Sequence, residues 1–69
     1  MDLTIDTEQE ADGRWIAEVL ELPGVLSYGS TRDTAIAHVQ ALALRVLADR
    51  LEHAEVAPNW TPIAFAAAA

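Results

Sequence analysis

The chain has 69 residues, a formal net charge of −7 and no cysteine. This length predicts a single domain, residues 1–69, that buries only about 60% of the surface of its unfolded chain. The composition excludes disulfides and thiolate metal sites, and 4 basic against 11 acidic residues argue against direct binding of DNA or RNA phosphates.

The sequence also bears on the location and assembly of the protein. The N-terminal residues Met1-Asp2-Leu3 lack the basic region of a signal peptide. No stretch reaches the roughly 20 apolar residues of a membrane span, so we expect a cytoplasmic protein without membrane contact. Small domains often gain stability by association, and we therefore expect a homodimer or a higher oligomer.

The first predicted element is a strand over residues 3–7. Apolar and polar residues alternate there, which places Leu3 and Ile5 inward. The polar segment 8–13 ends in Asp12-Gly13, a dipeptide that favours the positive φ angles of a tight hairpin turn.

Two more strands follow the turn. Residues 14–20 predict the second strand, with one face formed by Trp15, Ala17 and Val19 and the other by Arg14, Ile16 and Glu18. Pro23-Gly24 breaks the chain, and residues 25–28 predict a short third strand that Gly29 ends. These three elements are expected to form an antiparallel meander.

A long helix and a final strand complete the predicted fold. Ser30 or Thr31 caps a helix that runs to about Glu52. Residues 61–67 predict a last strand with Ile63 and Phe65 on one face, and Pro62 indicates that it starts late or lies at a sheet edge. The predicted fold class is therefore α+β, in the order β-β-β-α-β.

The predicted helix is apolar on nearly all sides. At about 100° per residue from Ala35, the sector that faces the sheet contains Ile36, Val39, Leu42, Ala43, Val46 and Leu47. A narrow polar stripe contains His38, Arg45, Asp49 and Glu52. A third sector, which we call the outer helix face, contains Ala37, Ala41, Leu44, Ala48 and Leu51.

The outer helix face is our first candidate site. A helix that is apolar on two sides is usually buried on both, and this chain is too short to cover the second side itself. The alternative is that the alanines serve only as helix formers, which explains Ala37, Ala41 and Ala48 but not Leu44 and Leu51. We predict a protein interface there.

The sequence lacks the motifs that mark common active sites. It has no lysine, and Gly13, Gly24 and Gly29 lie too far apart for a phosphate-binding loop. No G-x-S-x-G or H-E-x-x-H segment is present. We therefore expect a protein that is not an enzyme and binds no cofactor.

A metal site is not expected either. The carboxylates of Asp6, Asp12 and Glu18 could hold an ion only if the sheet brought them together. We expect Asp6 and Glu18 on adjacent strands, and Asp12 to serve its turn. His38 and His53 each lack a second ligand at metal-binding spacing, and a solvated acidic face explains His53 better.

The two tryptophans have different expected roles. Trp15 shares a strand face with Ala17, so we expect it to pack on the sheet. Trp60 lies between Pro58 and Pro62, where it either covers the end of the core or serves as an aromatic anchor. Trp60 therefore joins the outer helix face as a candidate interface residue.

One motif extends over residues 12–31. Its members are Asp12-Gly13, Trp15, Ala17, Val19, Leu22-Pro23-Gly24, Gly29 and Thr31, followed by the small residue Ala35. This run resembles the HicB antitoxin family, and the resemblance covers roughly residues 3–52. Its specific part is Leu-Pro-Gly followed at a fixed distance by Gly-x-Thr.

The resemblance implies a fold and a function. Members of the family have a trimmed ribonuclease-H-like domain without its catalytic carboxylates, and they act as antitoxins in bacterial type II toxin–antitoxin pairs. They bind HicA, a small basic toxin that cleaves mRNA, and cover its active site. Many form dimers or larger oligomers, and many carry a second domain that binds operator DNA.

This chain departs from the family pattern in three places. The sequence ends at Ala69, so DNA binding is not carried over. Val25 stands where a cysteine or a similar small residue is frequent, and Thr34 stands where an acidic residue often completes the helix cap. Two alternatives stay open: a self-associating domain without a toxin partner, and a metal-dependent nuclease that uses Asp6 and Glu18.

Overall fold

The computed structural model describes residues 1–53 and 63–68. In chain order, its elements are β1 (Asp2–Gln9), β2 (Trp15–Val19), β3 (Leu26–Gly29), α1 (Arg32–Glu52) and β4 (Ala64–Ala67). The strands form one sheet in the order β3-β2-β1-β4. The first three strands pair antiparallel and β4 pairs parallel with β1, so the sheet is mixed. The predicted α+β class and the order β-β-β-α-β are confirmed.

The hairpin between β1 and β2 closes through a tight turn. Gly13 has a φ of 93°, a conformation that glycine adopts without a Cβ clash. The Gly13 amide donates to the Glu10 carbonyl at 3.0 Å, and the Glu10 amide donates to the Arg14 carbonyl at 2.7 Å. Because this turn needs only residues 10–14, β1 continues to Gln9, beyond the predicted end at residue 7.

The Leu-Pro-Gly segment forms a second turn whose apolar residues enter the core. The amides of Leu22 and Val25 donate to the carbonyls of Val19 and Leu22 at 3.2 and 3.0 Å. The Val19 amide donates to the Val25 carbonyl at 3.0 Å, so pairing between the two strands resumes immediately. Leu22 and Val25 are both buried.

One apolar core lies between the sheet and the helix. Among the described residues, it consists of Leu3, Ile5, Ala17, Val19, Leu22, Val25, Ala35, Val39, Ala43 and Leu47. The inward positions predicted for Leu3 and Ile5 are confirmed, and so is the shared face of Ala17 and Val19. Trp15 is half-buried and packs against this core, as predicted.

Helix α1 begins at the Thr31 cap. The Thr31 hydroxyl accepts a hydrogen bond from the Thr34 amide at 3.1 Å and so satisfies one free amide of the first turn. Asp33 adds a negative charge near the positive end of the helix dipole. The predicted sheet-facing residues all reach the core: Val39, Ala43 and Leu47 are buried, whereas Ile36, Leu42 and Val46 are half-buried.

The fourth strand lies at a sheet edge and begins late, as Pro62 predicts. It starts at Ala64, and its register places Phe65 beside Leu3 of β1. Ile63 and Phe65 are half-buried and pack against the core. The predicted strand residues 61 and 62 lie outside the described residues.

Of the described residues, no helical segment is long and apolar enough to cross a membrane.

Gly29 is expected to be essential because the helix start lies directly against it. A Cβ at Gly29 would contact the Ala35 amide nitrogen and lie 2.9 Å from the Ala35 Cα. These are backbone atoms, which cannot move aside as a flexible side chain can. We therefore predict that Gly29→Ala lowers the free energy of unfolding by about 1–3 kcal/mol. Urea unfolding followed by tryptophan fluorescence measures this loss.

The matched control for this prediction is Ser30→Ala, one residue further along. Ser30 is exposed, and its substitution should change the free energy of unfolding by less than about 0.5 kcal/mol. Equal unfolding midpoints for the two variants would contradict the proposed close approach.

Candidate protein-binding surfaces

The outer helix face is exposed, as its assignment to an interface requires. Leu44 is 48% exposed and Leu51 is 39% exposed. Ala37 and Ala48 are also exposed, and Ala41 is half-buried. Positions 37, 41, 44, 48 and 51 are separated by alternating steps of four and three residues, the spacing of a coiled-coil seam. Trp60, the other predicted interface residue, lies outside the described residues.

The polar stripe beside this face also anchors the helix. The Nδ1 atom of His38 lies 2.9 Å from the Tyr28 carbonyl oxygen, and because a carbonyl only accepts, Nδ1–H is the donor. This bond ties α1 to the edge strand β3. The Nδ1 atom of His53 lies 2.8 Å from the Asp49 carbonyl oxygen, at the C-terminal cap of the helix. Both histidines therefore have structural partners.

A second apolar surface lies on the side of the sheet that α1 does not cover. Ile16 of β2 pairs directly with Tyr28 of β3, and paired residues project to the same face of a sheet. Tyr28 is 43% exposed, Leu26 is 37% exposed and Leu20, just after β2, is 51% exposed. Ile16 is half-buried. We call this surface, formed by Ile16, Leu20, Leu26 and Tyr28, the open sheet face.

Sequence reasoning missed the open sheet face as a surface. It placed Ile16 on the outward side of β2, but it did not join that residue to the third strand. In the segment Val25-Leu26-Ser27-Tyr28, two apolar residues are adjacent. The sequence therefore did not show which residues of the third strand face the core. The available signal was the even spacing of Ile16 and Leu20 in the predicted second strand, on the side opposite the core positions.

Carboxylates border the open sheet face along β1. The strand register places Glu8 beside Ile16, and Asp6 beside Glu18. Glu18 in turn pairs with Leu26 of β3. All three carboxylates are exposed. Each of two rows across the sheet therefore runs from an acidic residue on β1 to a large apolar residue on β3.

Arg14 lies near this surface with its charge already compensated. Its guanidinium carbon is 4.8 Å from the centre of the Tyr28 ring, which is a cation–π contact. Its Nε atom lies 2.8 Å from the Asp12 Oδ2 atom. Hydrogen bonds from the Arg14 amide and side chain lower the pKa of Asp12. Arg14 and Asp12 thus form a closed pair at the hairpin.

The three candidate metal-binding carboxylates do not come together. Asp6 and Glu18 lie side by side on adjacent strands, as expected. Asp12 lies in the turn, where its Oδ1 atom accepts a hydrogen bond from the Arg14 amide at 3.0 Å. Across residues 1–53 and 63–68, no group of three metal-ligating side chains is present. The same part of the chain forms no pocket.

Glu21 fixes the chain where it leaves β2. Its Oε1 atom accepts a hydrogen bond from the Thr4 amide, and its Oε2 atom accepts one from the Thr4 hydroxyl, both at 2.7 Å. The Leu20 amide donates to the Thr4 carbonyl at 3.0 Å. The Glu21 carboxylate therefore accepts the hydrogen bond from the Thr4 amide that a backbone carbonyl would accept if β2 continued. The bonds from the Thr4 amide and hydroxyl lower the pKa of Glu21.

Comparison of the chain with protein-family models, with curated proteins and with solved structures gives no match. The resemblance to HicB antitoxins therefore stays a prediction that depends on the motif at residues 12–31.

The lowered pKa of Glu21 predicts a pH-dependent contribution to stability. Since folding favours the ionised carboxylate, its contribution is fully present above the ordinary carboxyl pKa and is lost as the pH falls through the lowered pKa. Glu21→Gln should therefore unfold more easily than the wild type at neutral pH and equally easily in strong acid. Urea midpoints across the acid range measure the difference.

Thr4→Val provides a second measurement of the same contact. It removes the hydroxyl donor and keeps the amide donor, so the pKa of Glu21 measured by NMR should rise toward its ordinary value. If the wild type and Glu21→Gln lost stability equally as the pH falls, that result would contradict the hydrogen bonds between Thr4 and Glu21.

The outer helix face predicts self-association that Leu44 controls. Leu44→Asp should lower the mass measured by light scattering, because it places a carboxylate in the centre of the apolar seam. The helical circular-dichroism signal should be unchanged, since Leu44 is not a core residue. Leu20→Asp, an equally exposed leucine on the sheet, is the matched control. An unchanged mass for Leu44→Asp would exclude the helix interface.

Proposed function

We propose that this protein is a protein-binding module that resembles HicB antitoxins and neutralises a small basic mRNA-cleaving toxin by covering it. In this proposal it acts in the cytoplasm, without catalysis, a cofactor or direct contact with nucleic acid. The single observation that carries the proposal is the exposure of large apolar side chains on a chain of net charge −7.

Exposed apolar clusters support a binding role. Of the residues that the structure describes, the large hydrophobic ones that face solvent are Leu20, Leu26, Tyr28, Leu44 and Leu51. They form two groups, one on each side of the two-layer fold. Contiguous apolar patches on a folded surface commonly mark sites of contact with another protein.

The acidic charge supports the class of partner. A toxin that cleaves mRNA needs a basic surface to attract phosphate groups. A negatively charged cover is attracted to the same surface and competes with RNA for it. The motif at residues 12–31 adds the family resemblance, which implies a trimmed ribonuclease-H-like domain for the mixed sheet and helix α1.

Self-association is the second candidate function, and a different observation favours it. The outer helix face combines seam spacing with two exposed leucines, Leu44 and Leu51. Its border contains charges of both signs, Arg45 with Asp49 and Glu52, so two copies can approach without strong repulsion. A structural or regulatory domain without a toxin would need only this surface.

Co-expression with a toxin tests the proposed function. A small basic protein encoded beside this gene should arrest growth when expressed alone, and co-expression of the wild-type chain should restore growth. The two proteins should also copurify, with an affinity that falls as salt rises. Gly29→Ala should fail to restore growth and Ser30→Ala should succeed, since only the folded chain presents its surfaces. A stable oligomer that binds no basic protein would favour the second candidate.

A further inference from the structure

We propose that the open sheet face, and not the outer helix face, is the docking site for a basic protein partner. This assignment rests on the proposed function, which supplies the expectation of a partner. It specifies which surface binds the partner and by what chemistry. The occupant is a protein segment that carries apolar side chains flanked by arginine or lysine.

The open sheet face is an apolar surface that no described element covers. Helix α1 packs on the opposite side of the sheet, where the buried core lies. Tyr28 and Leu26 project from β3 on the uncovered side, and Ile16 lies between Tyr28 and the first strand. Neighbouring strands are about 4.8 Å apart, so a row across three strands spans roughly 10 Å. The apolar and acidic ends of each row therefore belong to one contact area.

The position of the carboxylates selects a cationic occupant. Glu8 continues the row of Ile16 and Tyr28, and Asp6 and Glu18 continue the row of Leu26. A partner whose apolar side chains contact Leu26 and Tyr28 must place its neighbouring residues over these acids. Arginine or lysine there gains attraction, whereas aspartate or glutamate is repelled.

A second copy of this chain does not suit the same surface. Two stacked open sheet faces would bring the carboxylates of Asp6, Glu8 and Glu18 against those of the other copy. The outer helix face has charges of both signs at its border and no such preference. The two surfaces therefore differ in the partner that each admits.

The one cation beside Tyr28 among the described residues does not reverse this preference. Arg14 is held by Asp12 at 2.8 Å and rests against the Tyr28 ring at 4.8 Å. Its charge is compensated within the hairpin, and no ion pair within residues 1–53 and 63–68 involves Asp6, Glu8 or Glu18.

Hydrogen bonds also tie the docking surface to the rest of the fold. The Tyr28 carbonyl accepts a hydrogen bond from His38, so the edge strand is anchored to the helix. The Thr4–Glu21 hydrogen bonds hold the segment next to Leu20. A surface that is ordered in advance loses less conformational entropy on binding.

NMR titration of the full chain with a short synthetic peptide of alternating arginine and leucine tests the assignment. The expected result is a set of shifts centred on Ile16, Leu20, Leu26 and Tyr28. Glu18→Lys should weaken binding by on the order of fivefold, because it replaces an attraction with a repulsion. Asp49→Lys, an equal charge change on the helix stripe, is the matched control and should have little effect.

Several outcomes would overturn the assignment: shifts centred on the outer helix face, shifts spread over carboxylates of all elements, no shifts, or equal weakening by the two charge reversals. The peptide test uses no toxin, so its failure is distinct from failure of the proposed function. Peptide shifts at the open sheet face together with no toxin binding would reject the antitoxin role and support the docking surface.

Discussion

The close approach of helix α1 to the sheet is the constraint on which the rest of the structure depends. Gly29 leaves no space for a Cβ beside the Ala35 backbone, and the helix row that follows, Ala35, Val39, Ala43 and Leu47, is buried. Small side chains at three of these positions, Gly29, Ala35 and Ala43, bring the helix close to β2 and β3. Among the described residues, α1 covers one face of the sheet, and the sheet covers one face of α1.

This constraint explains what the family-like motif does in the fold. Gly13 supplies the hairpin turn, Leu22 enters the core, Gly29 admits the helix and Thr31 caps it. The fold alone therefore explains why these four motif positions have these residue types. The motif supports a type of fold, whereas the proposed binding role rests on exposed residues that folding does not require to be apolar.

Those residues lie on two surfaces with different charge. The outer helix face combines Leu44 and Leu51 with a border of both signs, which suits a second copy. The open sheet face combines Leu26 and Tyr28 with Asp6, Glu8 and Glu18, which suits a cationic chain. Because the two surfaces are on opposite sides of the two-layer fold, self-association and partner binding are physically compatible.

The sequence by itself determined the elements and the helix faces. Three signals are local and can each be recognised from a short segment: the period-two alternation at Leu3 and Ile5, the Asp12-Gly13 turn and the cap at Thr31. The exposure of Leu44 and Leu51 followed from helical geometry alone. Tertiary structure decided the parallel pairing of β4 with β1, the neighbours of Tyr28, and the hydrogen bonds of Glu21 and His38. Those features join residues that are far apart in the chain, and strand register across a sheet has no signature within a single strand.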